Sequence, residues 1–212
     1  MTEETKRDLA SRRGVETSVY QPAEDSQLLA TAVERAGRGR FLEVGTGSGW
    51  VAAQATDVDA VTSVVATDVN PHACRTARER ALSGGGPGEA SGPAFDVVRA
   101  DLLSPFVDGA FDTVAFNPPY LPTDPDNEWD DWMERALSGG ESGRELIEPF
   151  LDTVGRALAD DGVALLLVSS LTGYDEVLDY AASCGFDHDV VVEESYPFET
   201  LSVLALTDAA DG

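Results

Sequence analysis

The chain has 212 residues, 42% of them hydrophobic, enough for one full-sized domain whose core needs neither disulfides nor a metal. Its 39 acidic residues against 14 basic ones give a net charge of −25 and a pI near 4.1, a balance that weakens a compact state at low salt and is screened at molar salt, where the Debye length is roughly 3 Å. The acids are spread through apolar-periodic segments, as in a folded cytoplasmic protein of an extreme halophile; nothing reads as a signal peptide or a membrane span, and Cys74, Cys184, His72 and His188 are too isolated for a metal cluster or a Cys/His nucleophile pair.

Residues 1–19 read as a polar, mobile arm and residues 20–208 as one domain. After Tyr20-Gln21-Pro22-Ala23-Glu24-Asp25-Ser26, the side chains of Leu28, Leu29, Ala32, Val33 and Ala36 share one helical face, and Gly37 ends the helix. A short apolar strand over 41–44 then runs into Gly45-Thr46-Gly47-Ser48-Gly49 and a helix over 50–55. Strand, glycine loop and helix together let backbone amides approach a ligand at a helix N-terminus. Trp50 stands where a dinucleotide fingerprint has its third glycine, which weighs against close helix packing over a pyrophosphate. Glu43 would repel phosphates; it suits a cationic or amino-bearing ligand, or else caps neighbouring amides.

A second strand over 61–67 ends at Asp68, placed to accept hydrogen bonds from two ribose hydroxyls, with a helix N-cap as the competing role. Asn70-Pro71 opens a helix to about residue 82, and the Gly/Pro-rich tract 84–93 is a flexible surface loop. A third strand over 95–100 ends at Asp101, followed by Leu102. The fourth, over 111–116, is halted at Asn117-Pro118-Pro119-Tyr120, because proline has no N–H to donate and a fixed φ. Four successive strands thus finish in a polar group, which places a ligand edge at their carboxyl ends.

A Trp-bearing loop over 121–140 contains Trp129 and Trp132, and a helix over 144–159 buries Leu146, Ile147, Phe150, Leu151, Val154 and Leu158. Gly162 turns the chain into a buried strand over 163–169; a helix over 174–182 follows. The last two strands, 186–194 and 200–206, are joined by a linker too short for a helical crossover and so pair antiparallel. The two cysteines read as small buried hydrophobes.

Glu43-x-Gly45-x-Gly47-x-Gly49, the strand-end acids and Asn117-Pro118-Pro119-Tyr120 together resemble a class I S-adenosylmethionine-dependent N-methyltransferase: an α/β, Rossmann-like sheet of seven strands, mostly parallel with an antiparallel C-terminal hairpin. Tyr20-x-Pro22-Ala23-Glu24-Asp25-Ser26, Asp68-x-Asn70-Pro71, Gly143-Arg144-Glu145 and Glu199-Thr200-Leu201-Ser202-Val203-Leu204 narrow the resemblance to the HemK/PrmC-type glutamine methyltransferases of peptide-chain release factors.

The resemblance implies that Tyr20, Ser26, Glu43, Gly45, Gly47, Asp68, Asp101, Leu102 and Asn117 bind S-adenosylmethionine. It implies also that Asn117, Pro118, Pro119 and Tyr120 hold a planar –NH₂ substrate group, with no metal. The amine is expected to be the side-chain amide of a Gly-Gly-Gln glutamine in a release factor; exocyclic N6-adenine amines of DNA or RNA are the alternative, since the same tetrapeptide serves them. Bacterial members carry an extra helical domain that has no counterpart here. This implies the short archaeal and eukaryotic branch, which pairs with a small zinc-binding activator subunit.

Overall fold

Alternation along the strands decides which helices cover which side of the sheet. The structure, a computed structural model, describes residues 19, 21–83, 94–122 and 136–209. Its strands are β1 (Gly39–Val44), β2 (Val61–Asp68), β3 (Asp96–Arg99), β4 (Phe111–Phe116), β5 (Leu158–Ser169), β6 (Phe186–Ser195) and β7 (Thr200–Asp208). The helices are α1 (Glu24–Ala36), α2 (Trp50–Ala55), α3 (Pro71–Ser83), α4 (Ile147–Ala157) and α5 (Tyr174–Ser183). All seven strands form one sheet in the order β3-β2-β1-β4-β5-β7-β6. The first five pair in parallel, and β7 runs antiparallel to both β5 and β6. The arm 1–18, Tyr20, the tract 84–93, Trp129 and Trp132 lie outside the described residues.

On one face Phe41, Ala115, Leu165 and Leu167 pack with Leu29 and Val33 of α1, Val51 of α2 and Ala77 of α3. On the other, Leu42, Val114, Leu166 and Val168 pack with Ile147, Phe150 and Val154 of α4 and Val177 of α5. Each fully buried large apolar side chain contributes roughly 1.5–3 kcal/mol relative to an exposed one. The period-2 pattern of the strands therefore fixes a three-layer α/β/α fold.

Several expectations are corrected. Gly162 does not end a turn before the strand: β5 begins at Leu158, pairs with Phe111, and bulges before Val163 pairs with Thr113. Helix α4 starts at Ile147 rather than residue 144, because Gly143 to Leu146 form a turn, and it ends at Ala157, where Leu158 joins the sheet. Phe95 stands outside β3 and is buried beneath α2's entry. Cys74 and Cys184 are free and partly exposed instead of buried.

The glycine loop also packs more closely than Trp50 suggested. Gly49, at φ 73°, faces α3, and a methyl group there would lie 2.9 Å from Ala77 Cα and Cβ and 3.2 Å from Phe95 Cζ. The close-packing role falls on Gly49, one residue earlier than in a dinucleotide fingerprint. Adding that methyl combines a left-handed backbone with overpacking, so Gly49→Ala is expected to lower unfolding free energy by about 2–4 kcal/mol, read from the denaturant midpoint. An unchanged midpoint would contradict the packing described.

Among the described residues, arginines serve largely as locks on backbone carbonyls. Arg35 donates to Val191 O at the β6 bulge (2.9 Å), Arg80 to Ser48 O (2.8 Å), Arg99 to Val69 O (3.0 Å) and Arg156 to Phe106 O (2.7 Å). Arg38 donates to Asp161 O and Arg144 to Thr172 O.

Candidate active site

The carboxyl ends of β1 to β4 open on one cavity of about 170 Å³. It sits where the strand order reverses, with β2 on one side of β1 and β4 on the other, the place where an open α/β sheet leaves a crevice.

Glu43 lines its wall and is only 4% exposed. Its Oε2 accepts hydrogen bonds from the Thr46 hydroxyl and from the Ala52 amide at 2.9 Å, so the residue both caps the first turn of α2 and lines the cavity. Burial pushes its pKa up to about 8, against the opposing pull of those two donors. With its pKa raised above neutrality, the carboxyl is mostly protonated at about pH 7 in the unliganded protein.

Asp68 binds the loop from the next strand: Oδ2 accepts the Gly47 amide at 2.9 Å and Oδ1 the Asn70 amide at 2.8 Å. Burial raises its pKa too, countered by these amides. The N-cap role for the following helix belongs to Asn70, whose Oδ1 accepts the His72 amide at 2.9 Å. The loop takes positive φ at Gly45, Gly47 and Gly49, and Arg80 holds it from α3 through Ser48 O.

At the cavity's outer end lie Asp101, which is exposed, and Leu102. Leu102 has φ 45°, the one positive φ outside glycine among the described residues, and a conformation that costs a β-carbon-bearing residue on the order of 1–2 kcal/mol. Val69 also lines this end at 50% exposure. Pro22, Asp25 and Ser26 close the opposite side from the start of α1.

The fourth wall is Asn117 to Tyr120. Pro118 is buried, Pro119 half-buried and Tyr120 only 3% exposed, packed in the core cluster that includes α1. Asn117 Oδ1 is buried and has no hydrogen-bond partner. An acceptor in that state costs roughly 1–3 kcal/mol and marks a place where a donor from outside the chain fits. Just before it, the Phe116 ring underlies the glycine loop, where a methyl on Gly45 would meet Cε2 at 3.3 Å, and packs on Phe150 with ring centroids 4.8 Å apart.

Every singled-out site residue within the described set lines this cavity: Ser26, Glu43, Gly45, Gly47, Asp68, Asp101, Leu102 and Asn117 to Tyr120. Tyr20 lies outside the described residues. Not singled out in the sequence were Thr46, Val69 and Arg80. Thr46 was visible as the hydroxyl inside the glycine loop, whereas Arg80 gave no signal, since only the fold brings α3 against Ser48.

A sheet of this topology, with a glycine loop after β1 and an acid after β2, defines the class I methyltransferase fold. Its lining offers two carboxyls, at Glu43 and Asp68, and an apolar edge at Val69 and Leu102, a set chemically suited to a ligand with cationic, hydroxyl and planar parts, as S-adenosylmethionine has. Residues 14–130 match the family model of the methyltransferase small domain. The chain is 34% identical over 186 residues to a Methanocaldococcus jannaschii protein named as a protein N5-glutamine methyltransferase, covering 88% of this chain and 90% of that one. It is 33% identical over 204 residues to the human methyltransferase HEMK2, covering 92% of each. Among solved structures, the E. cuniculi Mtq2–Trm112 complex responsible for methylation of the eRF1 translation termination factor is similar at TM-score 0.69 and 28% identity, over 91% of this chain and 100% of that chain. The chain belongs to the HemK/PrmC-type protein-glutamine N5-methyltransferase family and is an S-adenosylmethionine-dependent methyltransferase.

Proposed function

We propose that the protein methylates the side-chain amide nitrogen of the Gly-Gly-Gln glutamine of a release factor. The observation that carries this reading is the orphaned acceptor of Asn117, in the wall of a cavity that Glu43 fits to receive a cation. S-adenosylmethionine supplies, when bound, a methyl carbon made electrophilic by its sulfonium sulfur. Glu43, Gly45 and Gly47 hold the methionine part, Asp68 the ribose, and Asp101 and Leu102 the adenine, with Tyr20 and Ser26 closing the pocket.

An amide nitrogen is a poor nucleophile because its lone pair is delocalised, so catalysis rests on orientation, for which effective molarity contributes roughly 7–11 kcal/mol. Asn117 Oδ1 and the Pro118 carbonyl accept the two N–H groups of the substrate, an interaction that strengthens as the nitrogen gains positive charge. Pro119 shapes the turn, and Tyr120 walls the plane of the amide. The surplus proton leaves the nitrogen afterwards, so no base is needed in the transfer.

Two further observations favour protein over nucleic acid. The name of the Methanocaldococcus jannaschii relative specifies glutamine, and that of the Mtq2–Trm112 complex a termination factor. In addition, among the described residues Arg35, Arg38, Arg80, Arg99, Arg144 and Arg156 donate to backbone carbonyls and Arg40 pairs with Asp112, so most of the described arginines are engaged within the fold rather than set out along a phosphate-binding groove. The Mtq2–Trm112 likeness supports a small partner subunit, which we take to be zinc-binding and to mark the short archaeal and eukaryotic branch. We take residues 1–19 as an arm to the methyltransferase domain 20–208, and the acidic composition as that of a halophile's cytoplasmic protein. Among the described residues no helix is long and apolar enough to cross a membrane.

The test is mass spectrometry of release factor and of an adenine-containing oligonucleotide, each incubated with this chain, cofactor and the candidate partner at molar salt. A 14-dalton gain at the Gly-Gly-Gln glutamine, about one methylene in mass, is expected at high salt, and no gain is expected when this protein is dialysed to low salt before the incubation. Methylated adenine with unmodified glutamine overturns the reading.

A further inference from the structure

The tetrapeptide Asn117 to Tyr120 is not self-supporting. Two prolines remove amides that would tie it to a neighbour, and the strand that delivers it has already ended. What it leans on is the segment 136–146. The Leu121 amide donates to Leu137 O at 3.1 Å, and the Gly139 amide returns a bond to Leu121 O at 2.9 Å. That segment folds back on itself where the Glu145 amide meets Gly139 O at 3.1 Å.

Gly143 makes the closest approach. At φ 76°, a methyl group there would lie 2.8 Å from the Tyr120 carbonyl oxygen and 3.1 Å from Thr172 Cγ2. Backbone lies directly on backbone, so the position of Tyr120 is set by Gly143. Arg144 then anchors the segment to the 3₁₀ turn after β5: its Nη1 donates to Thr172 O, and its Nε lies 3.6 Å from Glu148 Oε1. Neither residue lines the cavity, whereas Leu137 and Leu146 on the same segment do.

We propose that Gly143 and Arg144 are positioning residues for methyl transfer, holding the Asn117–Tyr120 turn against the cavity by pinning the segment 136–146 to the carboxyl end of β5. They act on the acceptor side of the site alone, since the glycine loop is held separately by Arg80, Asp68 and Glu43. The inference rests on the transfer reading above for its kinetic part and on geometry alone for its structural part.

Two measurements test it. In Arg144→Gln, hydrogen exchange at the Leu121 and Gly139 amides is expected to quicken about tenfold or more, while core amides of β5 keep wild-type rates, because the opening is local. In steady-state assays on whichever acceptor the wild-type protein methylates, kcat for Arg144→Gln and Gly143→Ala is expected to fall about 10- to 100-fold, with the dissociation constant for S-adenosylhomocysteine within about twofold of wild type. Arg144→Lys, which restores one donor to Thr172 O, is expected to recover part of the loss. Unchanged exchange at Leu121 and Gly139 overturns the proposal, as does a loss of kcat matched by an equal loss of nucleoside binding and of thermal stability. A wild-type protein that modifies adenine and spares glutamine overturns the substrate reading, and leaves the exchange result and the variant-to-wild-type ratio to decide this one.

Discussion

Replacing Asn117 with alanine is expected to lower kcat about 10²- to 10³-fold, the usual effect of removing one group aimed at charge that develops in a transition state. Binding of S-adenosylhomocysteine should stay close to wild type, because the contacts that hold the glycine loop come from Asp68, Glu43 and Arg80. The more discriminating expectation concerns stability. In the unliganded protein Asn117 Oδ1 is a buried acceptor with no partner. Deleting it removes an unmet desolvation cost, so the variant should be as stable as wild type or more so, by up to about 1–3 kcal/mol. An inactive variant with a raised or equal denaturant midpoint separates a functional group from a structural one. Full activity would remove Asn117 from the mechanism, and a marked fall in stability would mean that the carboxamide serves the fold.

The second large effect is expected at Glu43. Glu43→Gln keeps the shape and an acceptor for the Ala52 amide, but removes the charge that a cationic ligand would meet in a buried wall. Losing one partner of such a pair costs about 2–5 kcal/mol, so affinity for S-adenosylmethionine should drop by about two to three orders of magnitude in calorimetry. The pH dependence carries a second signature. Since burial lifts the folded-state pKa from the ordinary 4.5 to about 8, the folded unliganded protein keeps a proton that the unfolded chain has released across that window. The stability this group contributes is therefore present below about pH 4.5 and is lost as pH rises through about 8. Ligand binding runs the other way, because the ionised carboxylate is the binding form. Wild-type affinity should rise from about pH 6 to about pH 8 with release of a proton, seen as a buffer-dependent enthalpy. The glutamine variant should show neither trend; a wild-type profile that is flat over this range would refute the assignment.

Most of the site was legible because each strand ends in punctuation. Val44 gives way to glycines, Thr67 to an acid before Asn70-Pro71, and Phe116 to two prolines, so the sequence itself says where the chain leaves the sheet and what it leaves there. Two kinds of feature were hidden. The first is tertiary pairing that overrides a local signal. Asp160-Asp161-Gly162 reads as a turn, yet Leu158 pairs with Phe111, and the intervening residues become a bulge inside β5. The second is contact across the chain between residues with no pattern of their own. Arg80 reads as one more charge on an exposed helix face, and nothing in the sequence brings it to Ser48 O thirty-two positions away. Gly143 carries no local signal beyond its place in Gly143-Arg144-Glu145. Its approach to Tyr120 depends on a return of the backbone that no periodicity announces.

The Phe116 ring lies under Gly45 on one side and against Phe150 on another, and the next residue in the chain is Asn117. Donor loop and acceptor turn are therefore surveyed from a common benchmark, one aromatic plate riveted to the α4 layer. Phe116 thus sets one end of their separation, and the segment 136–146 that carries Gly143 and Arg144 sets the other. Drift in acceptor preference has room to proceed through residues 119–122 and 136–146, which stand beyond that plate. A change of size at 116 would shift both halves of the reaction at once, so one side chain of the sheet bears on the interval across which the methyl group travels.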